Sequence, residues 1–325
     1  MEEFKTIEFH QTRDFGKKVN ITFEFVKQNF KPLAKSILLI AGPAVLIGSI
    51  FLASFFSDLF SSVTRSQTNP QESLKYFSSL TFGVQMMLMY LFLILSYVIT
   101  LATINGYIET YYQKKTNQIR VADVWEAARP LIWRFAGSLL LILILAVVLI
   151  VAIALLAGLF KMASTALMVL WIIAAIVGFI YLMIGMALLF FIQAHEGLGF
   201  FEAAGRSLQL IKGKWWSTFG IAFVLSLIGS TISYIFIIPY YAFMFITMIH
   251  GASDGTPEIS DSMKTITYIF FTLYYMAQML LQTLPQVGLV FQYFNLVEQK
   301  EAKGLMGDIE SFGKQAPTTD RNETF

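Results

Sequence analysis

The chain has 325 residues, 56% of them hydrophobic and 14% charged, against about 25% charged in soluble domains. Its net charge of +2 gives no support to nucleic-acid binding. The absence of Cys excludes disulfides, thiolate metal sites and cysteine nucleophiles.

Residues 1–32 read as a cytosolic amphipathic segment. Phe15, Val19, Phe23, Val26 and Phe30 recur at helical spacing, and Lys17, Lys18, Glu24, Lys27 and Lys31 fall largely off that face. Six long apolar stretches follow over 33–297: Leu33–Phe56, Thr81–Ile104, Phe135–Gly158, Met168–Ala194, Phe219–His250 and Thr265–Val297. Each reaches the ~20 residues that cross a bilayer. Phe135–Gly158 is the clearest, because it carries no charge at all. The last two exceed what a crossing needs and contain Pro239 and Pro285. A proline inside a helix removes a hydrogen bond, so both are expected to be kinked or broken. Residues 298–325 read as a flexible cytosolic tail.

Charge placement orients the spans. Of the 23 Lys and Arg, only Arg65, Lys75, Lys161 and Lys264 fall on the side opposite the termini. The positive-inside rule therefore predicts both termini in the cytosol. Two more cytosolic segments precede pairs of spans. Val121–Arg134 is short and is expected to break at Pro130. The next carries Phe200, Ala204, Leu208, Ile211 and Trp215 on one face, with Glu202 and Arg206 as an i,i+4 pair on the other. Trp125-Glu126-Ala127-Ala128-Arg129 echoes Phe201-Glu202-Ala203-Ala204 followed by Arg206. The predicted fold is an all-α polytopic membrane protein, with six transmembrane helices as three hairpins, each preceded by a cytosolic amphipathic helix.

Several positions are candidate sites. Arg206, Lys212 and Lys214, with Trp215 and Trp216 as anchors, form a candidate lipid-headgroup site for anionic lipid. An ordinary interfacial helix has the same pattern. Gln278, Gln282, Gln286 and Gln292 share one helical stripe. They are a candidate polar lining, or else bonds between packed helices. Ser226/Ser230 and Gly229/Ser233 fit small-xxx-small helix packing. Glu109, near Asn105 and Tyr107, is either a proton-carrying carboxylate at the membrane edge or a solvated one. His195-Glu196 lacks the second histidine of a zincin helix, because position 199 is Gly. No P-loop, G-x-S-x-G elbow or intramembrane aspartate pair occurs, so no catalytic residue, cofactor or metal site is expected.

The run from His195 to Trp216 carries Glu196-Gly197, Phe201-Glu202-Ala203-Ala204, Arg206-Ser207, Leu210, Lys212-Gly213 and Trp216. This pattern resembles the signature of the glycerophosphoryl-diester-phosphodiesterase membrane-domain family of bacterial multi-span proteins. The resemblance implies an inner-membrane location and a multi-span fold. It brings no enzyme activity, because no catalytic domain accompanies the run. The expected function is a non-enzymatic subunit or scaffold of a membrane complex, touching anionic lipid and a protein partner but no nucleic acid. The alternative is a passive or partner-driven transporter of a lipid or amphipathic small molecule.

Overall fold

The computed structural model describes residues 6–66, 70–254 and 261–302. Every regular element among them is a helix: α1 (Phe15–Ile40), α2 (Gly42–Ser66), α3 (Pro70–Phe77), α4 (Leu80–Lys114), α5 (Val121–Ala163), α6 (Thr165–Gly185), α7 (Leu189–His195), α8 (Phe200–Ile211), α9 (Trp215–Tyr234), α10 (Ile238–Asp254), α11 (Asp261–Leu281) and α12 (Thr283–Glu301). Five helical stretches among the described residues are long and apolar enough to cross a membrane: Gly42–Ser62, Leu80–Lys114, Val121–Ala163, Thr165–His195 and Trp215–Tyr234. The chain is an all-helical, multi-pass membrane protein.

The helices start where capping chemistry permits. Asp14 Oδ1 accepts the Lys17 N–H at 2.8 Å to open α1, and Ser79 Oγ accepts the Phe82 N–H to open α4. Such side chains satisfy amides that a helix start leaves without a partner.

Several boundaries differ from the apolar pattern. The first predicted span, Leu33–Phe56, straddles the junction at Ala41: Leu33 and Ile37 belong to α1 and are buried against other helices. The apolar crossing starts nine residues later than Leu33, at Gly42. Pro130 does not break the middle segment, and α5 runs through it unbroken from Val121 to Ala163. Phe219–His250 divides at residues 235–237, which places Pro239 in the first turn of α10. There its missing N–H costs nothing. Thr265–Val297 divides at Gln282, with Pro285 in the first turn of α12. The tail's first residues, through Glu301, complete α12. Residues 303–325 lie outside the described residues.

The three amphipathic segments meet their spans in three ways. α1 bends into α2 at Ala41, the middle segment is continuous with its span in α5, and α8 is separated from α9 by a tight turn. That turn is of type II. Lys212 has φ −53° and ψ 123°, Gly213 has φ +79°, and Lys214 N donates to Ile211 O at 2.8 Å. Only glycine takes the third position of such a turn without strain. Gly197, at φ +72°, takes the left-handed position just after the C-cap of α7.

Burial concentrates at one end of the molecule, here called the collar. It joins α1, the C-terminal third of α4, the start of α5, α7, α8 and α12. Phe25, Tyr107, Tyr111, Phe291, Tyr293 and Phe294 are fully buried there. α12 is enclosed on all sides, with almost every side chain from Thr283 to Val297 buried. α4 and α5 touch backbone to backbone: a Cβ on Gly106 would lie 3.0 Å from Ala128 N. From the collar the apolar helices extend away, and the α5–α6 hairpin extends almost bare. No residue of α5's most apolar window is buried inside the chain.

α1 is turned against simple expectation for a helix beside a core. Its phenylalanine stripe faces out, with Phe15, Phe23 and Phe30 exposed. Its buried face is Lys18, Thr22, Phe25, Asn29, Leu33, Ser36 and Ile37. Three of the polar members are satisfied within the collar. Asn29 accepts from Tyr107 Oη at 2.9 Å, and Thr22 and Ser36 donate to backbone carbonyls one turn back. An outward phenylalanine stripe is stable where the surroundings are lipid rather than water.

Candidate functional site

The joint α7–α8–α9 is held by one arginine. Arg206 projects from α8 between two carboxylates. Its Nε donates to Glu196 Oε1 at 3.2 Å, and its two terminal nitrogens donate to Glu301 Oε1 at 2.5 Å and Oε2 at 3.0 Å. Tyr293 Oη of α12 donates to the same Glu196 oxygen at 2.5 Å. The Glu301 fork, with Glu196 behind it, holds the Arg206 proton above the ordinary guanidinium range. Lys300 Nζ donates to the carbonyls of Gln209 and Lys212 at the end of α8. The end of α12 is thus strapped to α8 through Lys300 and Glu301.

This geometry divides the five candidate headgroup residues. Arg206 is spent on Glu196 and Glu301 and faces inward. Lys212 and Lys214 stay on the outer surface. Trp215 lies parallel to Tyr181 of α6 and donates its Nε1–H to the Tyr181 carbonyl at 3.1 Å. Trp216 is 78% exposed. Two of the four glycines in the run, Gly197 and Gly213, have positive φ, so that part of the pattern encodes a joint.

The four glutamines do not line one path. The helix break at Gln282 separates Gln278 on α11 from Gln286 and Gln292 on α12. Gln278 Oε1 is buried with no hydrogen-bond partner among the described residues. Gln286 borders an apolar cleft of about 450 Å³ between α4, α5, α6, α7 and α12, together with Tyr97, Ile142, Phe179, Met183 and Phe190. Gln292 is fully buried: it accepts from Lys18 Nζ at 2.7 Å and donates to Thr218 Oγ1 at 3.0 Å. Gly229 and Ser233 do face a neighbour. A Cβ on Gly229 would stand 3.3 Å from the Leu281 carbonyl, so small residues there let α9 approach the end of α11. Ser226 points outward.

Glu109 is not simply solvated. Its Oε2 lies 2.9 Å from His195 Nδ1, and its other oxygen accepts from Gln113. The rings of Tyr112, Phe191, Tyr293 and Phe294 surround His195. Arg13 and Lys18 are buried polar groups that charge counting did not single out. Asn295 accepts the Arg13 backbone N–H at 2.7 Å, and the Arg13 guanidinium stacks 5.5 Å from the Phe291 ring centre. Lys18 reaches Ser217 Oγ at 3.0 Å as well as Gln292. The only sequence signal for Lys18 was polar residues at positions 18, 22, 29 and 36, which fall roughly one face apart from the phenylalanines.

Among the described residues, no three His, Cys, Asp or Glu side chains stand close enough to share a metal ion. The site therefore consists of paired charges that fasten helices, an exposed basic and aromatic rim, and one apolar cleft beside it. No protein-family model matches this chain, and no curated protein or solved structure does either.

Proposed function

We propose that the chain is a six-span, non-enzymatic membrane protein that serves as a subunit or scaffold of a membrane complex, with its collar on the cytoplasmic side of a bacterial inner membrane. α11 supplies the sixth crossing. Its 21 residues pack against α2 and α9, alongside helices that cross by length and composition. The collar carries the basic excess, and Lys212, Lys214, Trp215 and Trp216 form the rim that touches anionic headgroups. The run Glu196–Trp216 supports kinship with the membrane-domain family it resembles.

The observation that carries the scaffold reading is the α5–α6 hairpin. It is the most apolar part of the chain and the least covered by it, so lipid or another protein's helix must cover it. A carrier of polar solutes needs a wet path past Gln278 and Gln282. The cleft that Gln286 borders is apolar instead. That cleft favours the second reading, a carrier for a lipid or amphipathic molecule.

The natural lack of Cys makes the test direct. Leu155→Cys and Val177→Cys variants in native membranes are treated with a thiol crosslinker, followed by identification of the adduct. A stoichiometric protein adduct is the expected result. A chain recovered alone, with one amphipathic molecule enriched, replaces the scaffold reading with the carrier reading.

A further inference from the structure

Lys18 is a buried charge without an anion. Its side chain belongs to a residue only 3% exposed. Its ammonium donates to two neutral oxygens, Ser217 Oγ and Gln292 Oε1. No carboxylate of the described residues stands within ion-pair distance of it. Asp14, the N-cap of α1, attracts Lys18 only from a distance and is committed to the backbone and ammonium of Lys17. A second cation, Lys214, lies close enough to repel Lys18. Burial first, and Lys214 second, push the Lys18 amine down to about 8. Leaving a buried charge uncompensated is costly, so this arrangement calls for an anion from outside the chain.

The donors around that point are in surplus. An ammonium has three N–H donors and Lys18 spends two. The Ser217 oxygen accepts from Lys18, which leaves its own proton to donate, and no acceptor among the described residues takes it. α9 begins here with no side-chain cap and no acid in its first turn. Ser217 stands in that first turn, where the opening N–H groups lack partners within the helix and the helix dipole is positive. Ser217 is half-buried and Lys214 is exposed, so the spot is reached from outside. Trp215 and Trp216 flank it at the level where α9 enters its apolar run.

We propose that the junction of α1 and α9 is a phosphate seat, in which Lys18, Lys214, the Ser217 hydroxyl and the first N–H groups of α9 hold the phosphate of an anionic membrane lipid. This deepens the reading of the collar as an interfacial rim and rests on it. It also moves the centre of the headgroup site away from Arg206, which is already neutralised, to a lysine on another helix. Outward Phe15, whose ring packs against Gly220 of α9, would lie beside the upper part of the lipid's chains.

The test is lipid retention by native mass spectrometry, on the full chain exchanged into nanodiscs of phosphatidylglycerol mixed with phosphatidylcholine. Lys18→Met and Lys214→Gln are each expected to cut retained phosphatidylglycerol roughly tenfold, as fits the loss of one charge-assisted hydrogen bond. Arg129→Gln, an exposed cation on α5, leaves retention in place. Exposed Lys214 carries the test alone if Lys18→Met fails to fold. Retention that survives both substitutions overturns the seat but leaves the interfacial rim intact. No preference for phosphatidylglycerol in the unaltered chain overturns the rim itself. Stabilisation by inorganic phosphate at constant ionic strength, without lipid retention, assigns the seat to a soluble phosphate and overturns the lipid assignment.

Discussion

The collar and the α5–α6 hairpin are built from similar apolar residues, yet they hold together by different means. In the collar Phe9, Phe25, Tyr111, Phe291 and Phe294 interlock with ring centres 4.9–6.2 Å apart. Buried polar side chains there are paired with each other or with backbone. In the hairpin Val147, Ile150, Leu155, Leu170 and Val177 are each about half exposed or more. The most apolar window among the crossing helices is thus the least buried. Apolar side chains leave water on entering the collar, and that transfer stabilises it by about 25 cal/mol per Å². Two helices meeting in lipid gain no such transfer, since lipid tails are as apolar as leucine. The collar is folded as a soluble core is. The hairpin is a solute of the bilayer.

Substitutions can break or sharpen this contrast. The largest effect is expected at Phe291, fully buried between Phe9 and Phe25. Phe291→Ala should lower the unfolding free energy in mild detergent by about 3–5 kcal/mol. A loss below ~1 kcal/mol would mean the collar is not a tight core.

A smaller effect belongs to pH. Lys18 has its amine depressed from an ordinary 10.5 to about 8 when folded. Between those values the unfolded chain binds a proton that the folded chain has released, so stability should rise with pH across that window and stay flat below it. Denaturation midpoints in zwitterionic detergent, free of anionic lipid, measure the slope. Lys18→Met should abolish it, and so should phosphatidylglycerol if the seat holds its phosphate. A slope unchanged by Lys18→Met assigns the titration to another group.

The smallest effect is expected in the hairpin. Leu155→Ala should cost less than about 0.5 kcal/mol, because lipid surrounds that leucine whether or not α5 and α6 pack. A loss above ~2 kcal/mol in native membranes would show that a protein helix covers the hairpin there, in another subunit or a second copy.

Hydropathy was enough to reveal the helical, multi-pass character, because a bilayer demands long runs that satisfy their own backbone hydrogen bonds. The turns at Gly197 and Gly213 came only with the backbone, where both glycines take positive φ. Helix boundaries were less legible. Leu33 and Ile37 are as apolar as any span residue, and only their packing in the collar separates them from α2. The headgroup candidates show the same limit. Arg206 looked like Lys212 and Lys214 on the chain, but Glu301, 95 residues away, neutralises it. Lys18 looked like Lys17, and the turn of α1 sent one into the collar and the other to the surface.

Composition and local pattern alone determined that the chain is a helical membrane protein and roughly which stretches are apolar enough to cross. These follow from solvent and backbone, which act residue by residue. The tertiary structure decided which charges are paired, which is left without an anion, and which apolar helix stands uncovered. Those depend on which distant side chains meet, and pairing distance changes the energy of a charge far more than its place in the sequence does.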